Sequence, residues 1–137
     1  MADLERFLKA QEYSYDTALK EIKNGKKVSH WMWYIFPQIE GLGTSSTAMY
    51  YAIKDIKEAE EYISNPVLWN RILEISSALL SIDSSDPYEV MGYPDNRKLK
   101  SSMTLFYEVS GNEIFKKVLD KFYNGEEDGF TLEKLNK

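Results

Sequence analysis

Apolar positions along the chain recur every three to four residues and alternate strictly almost nowhere, which predicts helices rather than sheet. Leu4, Phe7, Leu8, Gln11, Tyr15, Ala18, Leu19 and Ile22 share one helical face, with Asp3 placed to cap the start and Asn24-Gly25 to stop it. Ser14 or Asp16 offers a cap for a second helix if the first breaks near Tyr13. Asn65 followed by Pro66 starts another long helix, whose apolar face is Leu68, Trp69, Ile72, Leu73, Ser76, Leu79 and Leu80. Asp86-Pro87 repeats that signal for a short helix ended by Gly92. The pattern continues with helices over 98–109 and from Asn112 to the stop at Asn124-Gly125. Two short helices are predicted between 46 and 64, and a final turn capped by Thr131 carries Leu132 and Leu135. The best strand candidate, Trp33-Tyr34-Ile35-Phe36, is stopped by Pro37 and has no partner. The expectation is an all-α single domain over 1–137, with about seven or eight short helices and no substantial sheet.

Composition sharpens this picture by exclusion. The 137 residues suffice for one core and not for two. A net charge of −5 argues against a nucleic-acid partner drawn by bulk charge. There is no Cys and only one His, so the chain builds neither thiolate chemistry nor a His-rich metal centre. No run approaches the ~18 apolar residues that span a membrane, and the opening Met1-Ala2-Asp3-Leu4-Glu5-Arg6 lacks the core of a signal peptide, so a cytoplasmic location is expected. Aromatic residues at 14% exceed what a helical core of this size requires, and aromatics also line small-molecule pockets.

Two segments depart from generic helix building. Residues 29–46, Ser-His-Trp-Met-Trp-Tyr-Ile-Phe-Pro-Gln-Ile-Glu-Gly-Leu-Gly-Thr-Ser-Ser, put the single His and two Trp beside a loop with two glycines. Residues 92–106 set Gly92 and Pro94 before a basic stretch that runs into a hydroxyl-rich helix. Trp31, Trp33 and Phe36 are spaced for one face of a short helix, where they read as core or as a stacking surface. Gly41-Leu42-Gly43-Thr44-Ser45-Ser46 begins a helix and reads either as an anion site of backbone N–H groups or as a turn before a Ser cap. The Glu58-Ala59-Glu60-Glu61 run reads as a solvated helix face, and Glu126-Glu127-Asp128 as a loop.

With Leu4-Glu5-Arg6-Phe7, these segments resemble the signatures of a bacterial family of unknown function, number 1810 in the domain-of-unknown-function series. The resemblance rests on Ser29-His30-Trp31-Met32-Trp33, Phe36-Pro37-Gln38, Gly41-Leu42-Gly43, Tyr93-Pro94-Asp95, Lys98-Leu99 and Ser101-Ser102-Met103-Thr104-Leu105-Phe106. It implies a helical fold and a site in these segments but no reaction, with a loose association to NAD- and ADP-ribose-processing modules. Thr44 stands where some members carry a basic residue, which argues against a charge-based phosphate grip by the Gly41 loop.

The candidate chemistry follows from residue type. An imidazole serves as general base or ligand donor near neutral pH, which makes His30 the catalytic candidate. No G-x-S-x-G elbow accompanies it. Lys98, Lys100 and Ser101 combine cations with a hydroxyl, the set that holds a phosphate or carboxylate, and positions 97, 101 and 104 share a helical face. The ligand-binding candidates are Trp31, Trp33, Gln38, Gly43, Ser45, Asp95, Lys98, Lys100 and Ser101, with no metal or cofactor. The expected function is binding of an anionic, nucleotide-like small molecule. A metal-free hydrolase or transferase acting on an NAD- or ADP-ribose-like metabolite and a protein-interaction scaffold are the alternatives. The two segments are expected to line one cleft with His30 facing it. The sequence leaves the oligomeric state open.

Overall fold

The helix starts read from the sequence are used where a short polar side chain precedes proline. Asn65 Oδ1 accepts from the backbone N–H groups of Val67 and Leu68 at 3.0 and 3.1 Å, and Asp86 Oδ1 accepts from that of Tyr88 at 2.9 Å. In the computed structural model, which describes residues 3–137, nine helices take up 68% of the described residues. They are α1 (Glu5–Lys23), α2 (Met32–Ile35), α3 (Ser46–Tyr51), α4 (Ile56–Ser64), α5 (Pro66–Ser81), α6 (Pro87–Met91), α7 (Asp95–Ser110), α8 (Glu113–Tyr123) and α9 (Gly129–Lys134). No sheet forms among the described residues, and none of these helices is long and apolar enough to cross a membrane.

The centre of the molecule is α7. Its residues 101–106 are all buried, as a helix packed on every side must be, and α4, α6, α8 and α9 pack around it while α1 lies on α5. Much of the aromatic excess is core. Phe7, Tyr62, Phe106, Phe115 and Trp69 form a chain of rings with successive centroids 5.1, 5.2, 5.8 and 5.9 Å apart, linking α1, α4, α7, α8 and α5.

Several expectations are corrected. Residues 33–36 are not a strand: 33–35 belong to α2 and Phe36 ends it. Trp31, Met32, Ile35 and Phe36 are the buried positions, a helical stripe that overrides the β preference of the individual side chains. What extended pairing exists is one parallel bridge, Ile39 to Ile53, with Glu40 N–H donating to Ile53 O and Ile53 N–H to Gln38 O, both at 2.8 Å. The first helix does not break near Tyr13, because Tyr15, Ala18 and Ile22 continue its buried face, and Ser14 Oγ accepts from Tyr34 Oη instead of capping. Leu4 rather than Asp3 occupies the cap position of α1, with no side-chain hydrogen bond. Thr131 lies inside α9. The cap is Asp128, whose Oδ2 accepts from both Thr131 N–H and Thr131 Oγ1–H.

The largest correction concerns Glu58, which is 3% exposed instead of solvated. Both its oxygens receive Arg6, Nη2 to Oε1 at 2.9 Å and Nη1 to Oε2 at 3.2 Å. Arg6 also donates from Nε to Tyr50 O and from Nη2 to Ala52 O at 2.8 and 2.9 Å, and from Nη1 to Asp3 O, so all five guanidinium donors are satisfied. The pair thereby ties α1, the end of α3 and the start of α4. Removing one partner of such a pair strands the other charge. Arg6→Met should lower stability by about 3–5 kcal/mol in urea unfolding, and Arg6→Met with Glu58→Met should recover part of it.

Candidate functional site

The Ser29-His30-Trp31 segment is built around a carboxylate the sequence reading missed. Glu21 Oε1 accepts from the backbone N–H groups of Val28 and Ser29 at 2.8 and 2.9 Å and from Trp31 Nε1 at 2.8 Å, while Oε2 accepts from Ser29 Oγ at 2.6 Å. Burial opposes ionisation here, but the donors from Ser29, Val28 and Trp31 outweigh it and lower the carboxyl from 4.5 to about 2. Trp31 is 1% exposed, packs its ring 6.2 Å from that of Phe36, and lines no part of the cleft described below. His30, between two anchored neighbours, is left exposed, and its carbonyl accepts from Tyr34 Oη at 3.5 Å.

Asp95 fastens this segment to the start of α7. Lys27 Nζ pairs with Asp95 Oδ2 at 2.9 Å and also donates to Ser29 O at 2.7 Å, while Lys98 Nζ lies 3.5 Å from Asp95 Oδ1. Lys98 is thereby held over the ring of Trp33, 5.5 Å from its centroid.

A cleft of about 460 Å³ lies between the first two turns of α7 and the loop that leads into α3. Pro94, Arg97, Lys98 and Ser101 form the helical wall; Gln38, Leu42, Gly43, Thr44, Ser45 and Ala48 form the opposite one; Asp128 completes it. Arg97 makes no ion pair among the described residues. A small recess adjoins the cleft, walled by Trp33, Ile39, Tyr51 and Ala52 and sharing Gln38, Gly43 and Ala48 with it.

The two unusual segments thus meet, and five of the predicted residues, Gln38, Gly43, Ser45, Lys98 and Ser101, line one cleft. Trp33 lies in the adjoining recess, and Asp95 sits behind Lys98. Others go elsewhere. His30 does not line the cleft, because the anchoring of its neighbours on Glu21 turns it outward. Lys100 Nζ pairs with Glu126 at 3.3 Å. Ser45 caps α3 by accepting from Ala48 N–H at 3.1 Å, and Ser101 Oγ donates to Arg97 O at 3.3 Å, so both hydroxyls have local partners as well. Gly43 is required by packing, since a Cβ there would meet the Cβ of Ala48 at 2.5 Å. Sequence reasoning passed over Arg97 and Asp128 as site residues. Arg97 had a signal in its i, i+4 relation to Ser101; Asp128, read as part of an acidic loop, had none.

That acidic loop is stitched to α7 residue by residue. Glu126 takes Lys100, Asp128 N–H donates to Thr104 Oγ1 at 2.8 Å, and Glu127 lies against Glu108. Burial, then the hydrogen bond and charge of Glu108, push the Glu127 carboxyl up to about 7, with Lys116 offsetting part. Glu127 Oε1 is buried and has no partner while both carboxyls are ionised. A proton on Glu127, donated to Glu108, supplies one.

Fold and cleft together describe a small all-α protein with a polar cleft beside an aromatic recess. The chain belongs to the family of proteins of unknown function DUF1810, whose model matches residues 1–135. It is similar to a solved crystal structure, the conserved hypothetical protein Rv1873 from Mycobacterium tuberculosis, with 38% identity, 98% of this chain and 97% of that chain covered, and a TM-score of 0.95. The comparison with curated proteins gives no match.

Two pH dependences follow. Glu21 titrates lower in the fold than in the unfolded chain, so its stabilisation is complete above pH 4.5 and is lost as pH falls from 4.5 through about 2. Glu21→Gln should reduce stability at neutral pH and flatten the acid limb of a thermal-unfolding pH profile. Glu127 titrates higher in the fold, so it costs stability increasingly from pH 4.5 up to about 7 and by a constant amount above. Glu127→Gln should therefore raise Tm at pH 8, and the difference from wild type should vanish near pH 4.5.

Proposed function

We propose that the protein binds an anionic, nucleotide-like small molecule in the cleft between α7 and the 38–48 loop, its anionic group against Arg97, Lys98 and Ser101 and its planar group toward Trp33. The observation that carries this reading is the pair of cations at the cleft wall of a chain whose net charge is −5. Net charge repels an anion, so capture needs a local arrangement, and Arg97 has a guanidinium fork with no carboxylate partner among the described residues. Lys98 adds a second cation whose position is fixed by Trp33 and Asp95. The recess beside them, lined by Trp33 and Tyr51, has a volume of about 10 Å³ and admits no ring, so a heterocycle lies across its mouth and not inside it. Turnover of such a ligand by a hydrolase or transferase has less support, because the one imidazole of the chain lies outside the cleft.

The test is titration calorimetry with AMP, ADP and ribose 5-phosphate, after a thermal-shift survey of the same compounds. A charge-assisted hydrogen bond contributes about 1.5–3 kcal/mol, so Arg97→Met and Lys98→Met should each weaken binding roughly tenfold to a hundredfold. Added salt should weaken the wild type too. Lys9→Met, on the exposed side of α1, should leave affinity unchanged. Equal affinities in wild type and both cleft variants would remove the reading.

A further inference from the structure

Asp128 does not fit a site built only for an anion. It lines the same cleft as Arg97 and Lys98, where a carboxylate repels the group those cations would hold. Its structural duty uses one oxygen. Oδ2 accepts from Thr131 N–H at 2.9 Å and from Thr131 Oγ1 at 2.7 Å, capping α9. Oδ1 accepts no hydrogen bond, and the carboxylate joins no ion pair, among the described residues. The backbone on the other side is fixed as well, since Asp128 N–H donates to Thr104 Oγ1 at 2.8 Å and Thr104 is fully buried in α7. The open oxygen therefore belongs to a carboxylate that is already oriented by its neighbours.

A carboxylate oxygen held in this way is an acceptor with two lone pairs and no donor to fill them. Paired hydroxyls on adjacent carbons of a sugar are donors of matching number, and in dinucleotide-binding folds a carboxylate accepts from the ribose 2′-OH. Building on the anion-cleft reading, we infer that the ligand is a phosphorylated sugar or nucleoside, with phosphate at Arg97 and Lys98 and a vicinal diol donating to Asp128 Oδ1. The two halves of the cleft then select jointly. A bare anion is penalised by Asp128, and an uncharged sugar forgoes the cations.

The substitution Asp128→Asn separates the two duties of this residue. Asn caps a helix as well as Asp does. Its single carbonyl oxygen is taken by the cap, so its amide NH₂ replaces an acceptor by a donor at the cleft. Asp128→Ser removes the carboxylate while keeping a capping oxygen, and serves if the Asn variant folds poorly. Calorimetry is run on wild type and variants with AMP, 2′-deoxy-AMP, inorganic phosphate and phosphoethanolamine. Wild type should prefer AMP to 2′-deoxy-AMP by about tenfold, the worth of one hydrogen bond to a charged group. In the variants that preference should disappear, while phosphate binds as tightly as before or more tightly. Equal binding of the two nucleotides by wild type, or equal changes for both in the variants, would reduce Asp128 to a helix cap and overturn the inference while leaving the anion cleft standing. A wild-type preference for phosphoethanolamine would replace the diol by an amine and overturn it too. If none of the four probes binds wild type, the cleft reading fails and the inference falls with it.

Discussion

Arg6 is the residue on which the arrangement of this protein turns. A guanidinium 7% exposed is tolerable only if every donor finds an acceptor, and here the five donors reach Glu58, Tyr50 O, Ala52 O and Asp3 O. Those acceptors come from three places in the chain. Their convergence fixes where α3 ends, and so where Ile53 can bridge Ile39. The 38–48 segment that walls the cleft is therefore pinned at both ends of its bridge, through Ile39 to Ile53 and through the Tyr50 and Ala52 carbonyls to Arg6. This matters because α3 buries no side chain of its own fully, and Tyr51, beside Phe7 and Tyr34, is its hold on the core.

The opposite wall is rigid for another reason. The start of α7 is continuous with the most deeply buried helix of the molecule, so Arg97, Lys98 and Ser101 project from a fixed axis. Asp95 and Glu21 extend this rigidity outward. One divides itself between Lys27 and Lys98, and the other gathers four donors from residues 28–31. Both are carboxylates that organise a segment instead of facing a ligand. The third side is the loop through Glu126, Glu127 and Asp128, sewn along α7 by contacts of three kinds.

The fold was legible wherever local chemistry decides local structure. Asn65-Pro66, Asp86-Pro87, Asn112 and the stops at Gly25, Gly92 and Gly125 act within three or four residues, and helical periodicity needs no knowledge of partners. Two caps, Asp3 and Thr131, were misplaced locally, and the larger misreadings were of pairing across the chain. Glu58 looks solvated until Arg6, 52 residues away, is placed beside it, and Trp31 looks like a ligand contact until Glu21 is. The meeting of the two unusual segments was legible because both carried polar groups that packing does not require. Asp128 was not, since an acidic residue in a loop carries no sign of what it faces.

The hydroxyl-rich run from Ser101 to Phe106 is buried throughout, so the feature that makes this chain easiest to recognise is a record of how helices fit around α7. Of the cleft, that run contributes only Ser101. Arg97 and Thr44 are exposed, where exchange of one side chain leaves the core unaltered. The lining of the cleft and the packing of the core are therefore separable in this molecule. Descendants of one ancestral chain can keep the same core and hold different compounds, and likeness along the buried run measures shared architecture without measuring shared ligand.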